Sequence, residues 1–196
     1  MKTTPVIDPA QTALLVMDYQ RAILGSLPES DELLKRVAAA ISGARDRGVR
    51  IGYVRVAFDA ADYAALPDTN KGFTQAATAR RLSSEAPETA IHDAVAPRPG
   101  DLIVRKTRVG AFSTTDLDRR LRDQRIDTLI LAGISTSGVV LSTVRDAADR
   151  DYRLYVLEDA CIDRDQGVHE LLMRKVFPRQ ADVIAIADLP SPWGAE

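Results

Sequence analysis

The chain of 196 residues is 45% hydrophobic and 28% charged, and its formal net charge is -2. This composition is typical of a globular protein, and the length suits a single domain over residues 1–196. The small net charge gives no basis for a nucleic-acid groove or an anionic membrane surface as a partner. The single cysteine, Cys161, excludes an internal disulfide framework. Because no apolar run approaches the roughly 20 residues that span a bilayer, we expect a cytoplasmic protein.

Apolar runs and amphipathic stretches alternate through the first half of the chain. The predicted elements are, in chain order, a strand over 13–18, a helix over 31–47 opened by Pro28-Glu29-Ser30 and ended by Gly48, a strand over 50–58, a polar turn-rich stretch over 59–69 followed by a weaker helical pattern in the 70s, and a strand over 101–107.

The second half continues the same alternation. It predicts a helix over 114–124, a strand over 128–134, a helix over 137–150, a strand over 153–158, a helix over 166–177 stopped by Pro178, a strand over 181–187, and a frayed or partner-dependent tail over 191–196.

Six apolar strands interleaved with helices predict an α/β fold, with three α/β/α layers around a mainly parallel six-stranded sheet. Right-handed crossovers place the carboxyl ends of parallel strands along one edge, where ligands bind in such sheets. Asp18 ends the first predicted strand, Lys106 lies at the end of the third, and residues 135–139 follow the fourth. We therefore expect these three segments at one edge, if the strand order allows it.

The segment Gly-Ile-Ser-Thr-Ser-Gly at 133–138 joins a strand directly to a helix. Such a turn points several backbone N–H groups at one spot beside the positive end of the helix, where an anion or a developing oxyanion can bind. A plain strand-to-helix turn capped by Thr136 or Ser137 is the alternative interpretation, and capping is compatible with anion binding.

Four segments taken together resemble the isochorismatase-like hydrolase superfamily, often called the cysteine hydrolases. They are ALLVMDYQ at 13–20, RKTRVGAF at 105–112, GISTSGVVLSTVRDA at 133–147 and LEDACID at 157–163. The resemblance covers nearly the full length. It places Asp18 and Lys106 in the positions of the family's catalytic aspartate and lysine, with Gln20 in its common Asp-x-Gln pattern.

At the turn, the resemblance implies a cis Ile134–Ser135 peptide and an oxyanion hole formed by the N–H groups of Ser135 and Val139. Thr136 matches a threonine of the family's motif, and the resemblance implies that Thr136 and Gln20 also help to bind the substrate or its oxyanion. The family's nucleophilic cysteine falls on Val139, which has no nucleophilic atom. We therefore do not expect an amidase mechanism through a thiolate, and Cys161 is interpreted as a small packed apolar residue.

The charged residues also have plain structural interpretations. Asp18 could cap a helix or satisfy a turn, and Lys106 could be a solvated lysine at a strand end. Arg108 could lie in a polar turn, although a guanidinium two residues beyond Lys106 would suit a substrate carboxylate.

Relatives with nicotinamidase-like activity carry an aspartate and several histidines after the second strand. This chain has Asp59 and Asp62 there but no histidine. Its two histidines, His92 and His169, are interpreted as surface or helix-packing residues. We expect no metal site and no other cofactor.

True isochorismatases of this superfamily cleave a vinyl ether and can dispense with the cysteine. A general acid protonates the methylene carbon, and water captures the resulting oxocarbenium ion. The resemblance thus favours a hydrolase of a small carboxylated molecule in which Asp18 is the acid, although a neighbouring Lys106 would lower the pKa of that acid. The alternative is a catalytically silent relative that binds a small molecule or a partner. Because the family commonly forms dimers or tetramers, we also expect a homo-oligomer.

Overall fold

A computed structural model describes residues 7–25, 27 and 30–189 of the chain. In this part of the chain, one sheet contains β1 (Thr12–Met17), β2 (Arg50–Val56), β3 (Leu102–Lys106), β4 (Thr128–Ile134), β5 (Arg153–Ile162) and β6 (Asp182–Ile184). Their order across the sheet is β3-β2-β1-β4-β5-β6, and every neighbouring pair is parallel. The predicted parallel α/β fold is confirmed.

Helices connect the strands and cover both faces of the sheet. They are α1 (Arg21–Leu24), α2 (Ser30–Asp46), α3 (Ala60–Ala65), α4 (Thr74–Thr78), α5 (Leu117–Asp123), α6 (Leu141–Ala148) and α7 (Gln166–Leu171). A π-helical turn, Thr136–Val140, leads into α6, and a second one, Leu172–Val176, follows α7. No helix within the described ranges combines the length and apolar character needed to cross a bilayer.

The central strands are apolar throughout because they are covered on both sides. Every residue of β1 and of β4 is buried. On one face, Leu33, Val37 and Ile41 of α2 belong to the core. On the other face, Leu121 of α5 and Val144 of α6 do so. The buried residues of α2 recur at the helical period, and the sequence therefore predicts this helix closely.

Strand β5 is longer than its apolar pattern over 153–158 predicts. It pairs regularly with β4 as far as Leu131 opposite Val156, and the next pair is Gly133 opposite Cys161. Strand β5 therefore carries surplus residues at an irregularity in the register. Alternation of apolar residues cannot reveal such a bulge.

Polar groups inside this irregular part of β5 are satisfied by neighbouring segments. The carboxylate of Asp159 accepts a hydrogen bond from the N–H of Ile186 at 2.9 Å, and its carbonyl accepts one from Nε of Arg36 at 2.9 Å. These contacts satisfy two polar groups of Asp159, a residue that the sequence did not predict as strand.

The polar stretch at 59–69 contains the short helix α3, and the prediction of turns alone was wrong there. Asp59 and Asp62 form a capping box, in which the N–H of Asp59 donates to Oδ2 of Asp62 at 2.8 Å. The weak helical pattern in the 70s is confirmed as α4. Helix α1 was not predicted, since four residues are too few to display a period.

Two predicted helices contain π-helical turns that no sequence pattern announces. The helix over 137–150 is a π-helical turn followed by α6, and the helix over 166–177 is α7 followed by its own π-helical turn. The predicted strand over 181–187 is shortened to β6. The Pro28-Glu29 start of the long helix and the tail at 191–196 lie outside the described residues.

We expect Gly133→Ala to lower the free energy of unfolding by about 1–3 kcal/mol, because a β-carbon there overpacks the core. That carbon would lie 2.9 Å from Cγ2 of Val140 and 3.2 Å from Cγ1 of Val139. Chemical denaturation of Gly133→Ala, Val140→Ala and the double variant measures the clash, and Gly133→Ala should cost less in the Val140→Ala background than in the unaltered protein. Gly72→Ala is the control, because a β-carbon there would lie at an ordinary contact distance, 3.6 Å, from Oδ1 of Asn70. Equal stability of Gly133→Ala and Gly72→Ala would contradict the close packing.

Candidate active site

The carboxylate of Asp18 and the ammonium of Lys106 form a buried ion pair at the carboxyl edge of the sheet. Oδ2 of Asp18 lies 2.8 Å from Nζ of Lys106, and the two side chains are 6% and 2% exposed. The predicted proximity of these residues is confirmed. A solvated lysine at a strand end is thereby excluded.

Strand order explains why a lysine is needed at this position. Asp18 follows β1 and Lys106 ends β3, and β2 lies between those strands. Two strand spacings separate their backbones by roughly 10 Å, so a long side chain must reach over the end of β2. Asp18 itself has φ = 64°, in the left-handed region that aspartate tolerates better than most residues.

The ammonium of Lys106 is held by the loop that follows β3. Nζ donates to the carbonyl oxygens of Val109 at 2.8 Å and Arg108 at 3.3 Å, in addition to Asp18. The loop is in turn anchored to α6, because the N–H of Ala111 donates to Oγ1 of buried Thr143 at 3.2 Å. The lysine is therefore fixed in place before any ligand binds.

The environment of Asp18 shifts the pKa of its carboxyl upward. Burial raises the pKa of this carboxyl above its ordinary value, and the charge of Lys106 and its hydrogen bond only partly oppose that effect. The second oxygen, Oδ1, is buried and has no hydrogen-bond partner. A buried oxygen without a partner is costly, and a proton or a bound ligand group would satisfy it.

The amide of Gln20 is fully used by backbone groups. Its Nε2 donates to the carbonyls of Val56 at 2.9 Å and Thr89 at 2.7 Å, and its Oε1 accepts from the N–H of Val56 at 2.8 Å. The residue is completely buried. Gln20 therefore ties the exit of β1 to the exit of β2 and to the segment around Thr89.

The turn after β4 has the geometry that the resemblance implies in one respect: the Ile134–Ser135 peptide is cis. Val139 is 2% exposed and packs close to Gly133, which is paired with Met17, the residue before Asp18. The carbonyl of Ser135 accepts hydrogen bonds from the N–H groups of Gly138 at 3.2 Å and Val140 at 3.3 Å. The oxyanion roles of the Ser135 and Val139 N–H groups stay predictions.

Two residues brace this turn from the side of β5 and α7, and sequence reasoning missed both contacts. Oδ2 of Asp163 accepts the N–H of Ser137 at 2.7 Å, and Nδ1 of His169 lies 2.8 Å from Oγ1 of buried Thr136. Although burial opposes the effect, hydrogen bonds from Ser137 lower the pKa of Asp163. Asp163 ends the quoted segment LEDACID, so its position after a strand was the available signal.

Arg108 and Ser135, both proposed to bind substrate, are half-buried. Nη1 of Arg108 donates to the adjacent carbonyl of Thr107 at 2.7 Å, and its charge helps to lower the pKa of Asp62. Ser135 lines a cavity at this edge. Cys161 is buried, and burial raises the pKa of its thiol to about 12, as expected for a packed residue.

The two aspartates that follow β2 are engaged by an arginine. Arg105 forms ion pairs with both Asp59 and Asp62. His92, the other histidine, caps a short turn by accepting the N–H of Ala94 at 3.2 Å. Within residues 7–25, 27 and 30–189, no group of three or more His, Cys, Asp or Glu residues is arranged to hold a metal ion.

Residues 12–188 match the isochorismatase domain family. The chain is 34% identical over 183 residues to the uncharacterized isochorismatase family protein YwoC of Bacillus subtilis (strain 168), which covers 91% of this chain and 92% of that protein. It is 31% identical over 181 residues to a probable isochorismatase of Pseudomonas chlororaphis, with 91% and 84% covered. The chain therefore belongs to the isochorismatase family, and its parallel α/β fold agrees with that membership.

A solved structure of an amidase shares the same fold. N-carbamoylsarcosine amidase from Thermoplasma acidophilum superimposes with a TM-score of 0.75 at 26% identity, covering 90% of this chain and 96% of that one. Enzymes related to this chain therefore include one that is named for a different chemistry from the probable isochorismatase.

We expect Gln20→Leu to lower the free energy of unfolding by more than about 2 kcal/mol, because backbone groups of Val56 and Thr89 lose three hydrogen bonds inside the protein. The control is Gln124→Leu, which changes an exposed glutamine at the end of α5. Chemical denaturation compares the two variants. If Gln20→Leu were no less stable than Gln124→Leu, the hydrogen bonds of the Gln20 amide would not stabilise the fold.

Proposed function

We propose that this protein hydrolyses a small carboxylated vinyl ether, as an isochorismatase does, without a nucleophilic thiol. The observation that carries the proposal is the buried Asp18, whose pKa is raised by burial although Lys106 lies 2.8 Å away. A general acid has to hold a proton before it donates it, and a raised pKa shifts the carboxyl of Asp18 in that direction. The opposing influence of the lysine, expected from the sequence, is outweighed by desolvation.

In the proposed reaction Asp18 gives its proton to the methylene carbon of an enolpyruvyl ether. Water adds to the oxocarbenium carbon, and the hemiketal then breaks its bond to the leaving oxygen. The products are pyruvate and an alcohol, and the proton released by the water restores the acid. No acyl-enzyme forms, so Val139 in the nucleophile's position does not block this route.

The remaining residues of the site have supporting roles in this proposal. Lys106 orients the Asp18 carboxyl, Arg108 binds the substrate carboxylate, and the N–H groups of Ser135 and Val139 stabilise negative charge on the substrate. Gln20 acts as a positioning residue, because its amide is occupied by backbone groups. Thr136 acts through the turn that it shares with Ser135.

We expect Asp18→Asn to reduce kcat/KM for enolpyruvyl ethers by about 10²–10⁴-fold, the usual contribution of a general acid. Pyruvate release, coupled to its reduction by NADH, measures the rate. For the unaltered protein, kcat/KM should fall as the pH rises through the pKa of Asp18, with a midpoint above about 3.9, the ordinary value for aspartate. The variant should lack this alkaline decline.

Asp123→Asn is the matched control, because it makes the same chemical change at an exposed carboxylate of α5. Equal loss in both variants, or full activity of Asp18→Asn, would overturn the proposed acid. Absence of turnover with every ether, accompanied by thermal stabilisation on ligand binding, would favour the catalytically silent alternative.

Lys106→Met tests the electrostatic coupling separately. The ammonium lowers the pKa of Asp18, so its removal should move the alkaline decline of kcat/KM to higher pH while the maximum rate falls. The pH profile of the variant is compared with that of Lys71→Met, which removes an exposed lysine. A decline that stays in place, or moves to lower pH, would show that the two groups are not coupled in the active protein.

A further inference from the structure

The hydroxyl of Thr136 is engaged inside the protein. Thr136 is completely buried, whereas its neighbours Ser135 and Ser137 line the cavity at this edge of the sheet. Its Oγ1 lies 2.8 Å from Nδ1 of His169, a half-buried residue of α7. Because α7 follows β5, this contact joins the turn after β4 to a separate connection of the sheet.

The first turn of α7 holds His169 in place for this contact. Asp165 caps the helix, and its carbonyl accepts the N–H of His169 at 3.0 Å. Just before the helix, Oδ2 of Asp163 accepts the N–H of Ser137 at 2.7 Å. Two successive residues of the turn are thus held from the side of α7, Thr136 through its side chain and Ser137 through its backbone.

The turn is sensitive to small displacements because its residues are closely packed. The carbonyl of Ser135 accepts the N–H of Gly138 at 3.2 Å, and a β-carbon at Gly138 would lie only 2.7 Å from Oγ of Ser135. A shift at Thr136 would therefore also move the neighbouring N–H groups of Ser135 and Val139. Because a displacement of about 1 Å can reduce a catalytic rate about 100-fold, a contact that fixes this turn from outside affects the reaction.

The imidazole of His169 is suited to this contact in its neutral form. Burial lowers the pKa of His169, although the charges of Asp163, Glu158 and Glu170 oppose that effect. A neutral imidazole has one nitrogen that donates a hydrogen bond and one that accepts, and a hydroxyl can do either. The hydroxyl of Thr136 therefore complements Nδ1 in both tautomers.

We infer that His169 is a positioning residue of the candidate active site. Through its hydrogen bond with the Thr136 hydroxyl, it holds the turn in the arrangement that directs the N–H groups of Ser135 and Val139 to the substrate. The inference rests on the proposed function for the role of those N–H groups. His169 touches no reacting atom in this assignment and acts only through Thr136.

A pair of substitutions with nearly equal shape tests the hydrogen bond apart from the packing. Asparagine places its amide nitrogen near the position of Nδ1, because both atoms are bonded to Cγ, whereas leucine has the same branching without polar atoms. The substrate is whichever of 2-methoxyacrylate and 2-(cyclohexyloxy)acrylate the unaltered protein hydrolyses faster to pyruvate. We expect His169→Leu to lower its kcat/KM by about 10- to 100-fold. His169→Asn should keep most of the rate, although asparagine is the poorer helix former.

Thr136→Val removes the same hydrogen bond from the other partner. It should cost as much as His169→Leu, and the double variant should lose little more, because both substitutions delete one interaction. His92→Leu is the matched control and should keep most of the rate. His92 is also half-buried, and its Nδ1 accepts the N–H of Ala94 at 3.2 Å.

Circular dichroism verifies the fold of each variant. Equal losses in His169→Leu and His169→Asn, full activity of His169→Leu, or losses that add in the double variant overturn the inference. If His169→Leu does not fold, the remaining variants decide. A loss in Thr136→Val together with retention in His169→Asn then supports the inference, and any other result overturns it.

Amide hydrogen exchange, followed by NMR, gives a readout that needs no substrate. The N–H groups of residues 137–139 should exchange at least about tenfold faster in His169→Leu than in the unaltered protein, and His169→Asn should restore slow exchange. If neither ether is hydrolysed, the proposed function fails, and exchange alone decides whether His169 holds the turn. Equal exchange in the three proteins overturns the inference.

Discussion

The site depends on keeping a carboxylate and an ammonium together in a place from which water is largely excluded. Desolvating Asp18 and Lys106 is expensive, and their attraction offsets that cost only with good geometry and further hydrogen bonds. The chain supplies these from neighbouring elements: two loop carbonyls complete the coordination of the ammonium, and the loop itself is anchored to α6. One carboxylate oxygen is left without a partner. This unpartnered oxygen lowers the stability of the fold, and functional sites commonly carry such a cost.

The strands that bring the pair together were predictable, because their cause is local. Buried parallel strands are apolar in unbroken runs, and the runs at β1 and β4 agree with the structure within one residue at each end. The common edge also followed, since parallel crossovers leave carboxyl ends on one side. What the sequence could not supply was the strand order, on which the distance between Asp18 and Lys106 depends.

Other features of the site depend on contacts between segments that are far apart in the chain. The amide of Gln20 bonds to backbone groups that lie 36 and 69 positions away in the chain. A single glutamine after a strand does not predict such distant partners. The contact of His169 with Thr136 spans 33 positions, and that histidine had been interpreted as a surface or packing residue. The bulge in β5 and the π-helical turns arise from pairing and packing rather than from composition. The period of the apolar residues shows which face of a helix or strand is buried, but it does not reveal a bulge or a π-helical turn.

The irregular pairing of β5 with β4 divides the carboxyl edge of the sheet into two parts. From β1 through β2 to β3 the register is unbroken, so the spacing of the acid and the lysine is set by a continuous ladder. Beyond β4, the surplus residues of β5 lie between two paired stretches, and pairing resumes at Gly133 opposite Cys161. Changes in chain length at Asp159 and its neighbours therefore fall outside the strand pairs that set the distance between the acid and the lysine.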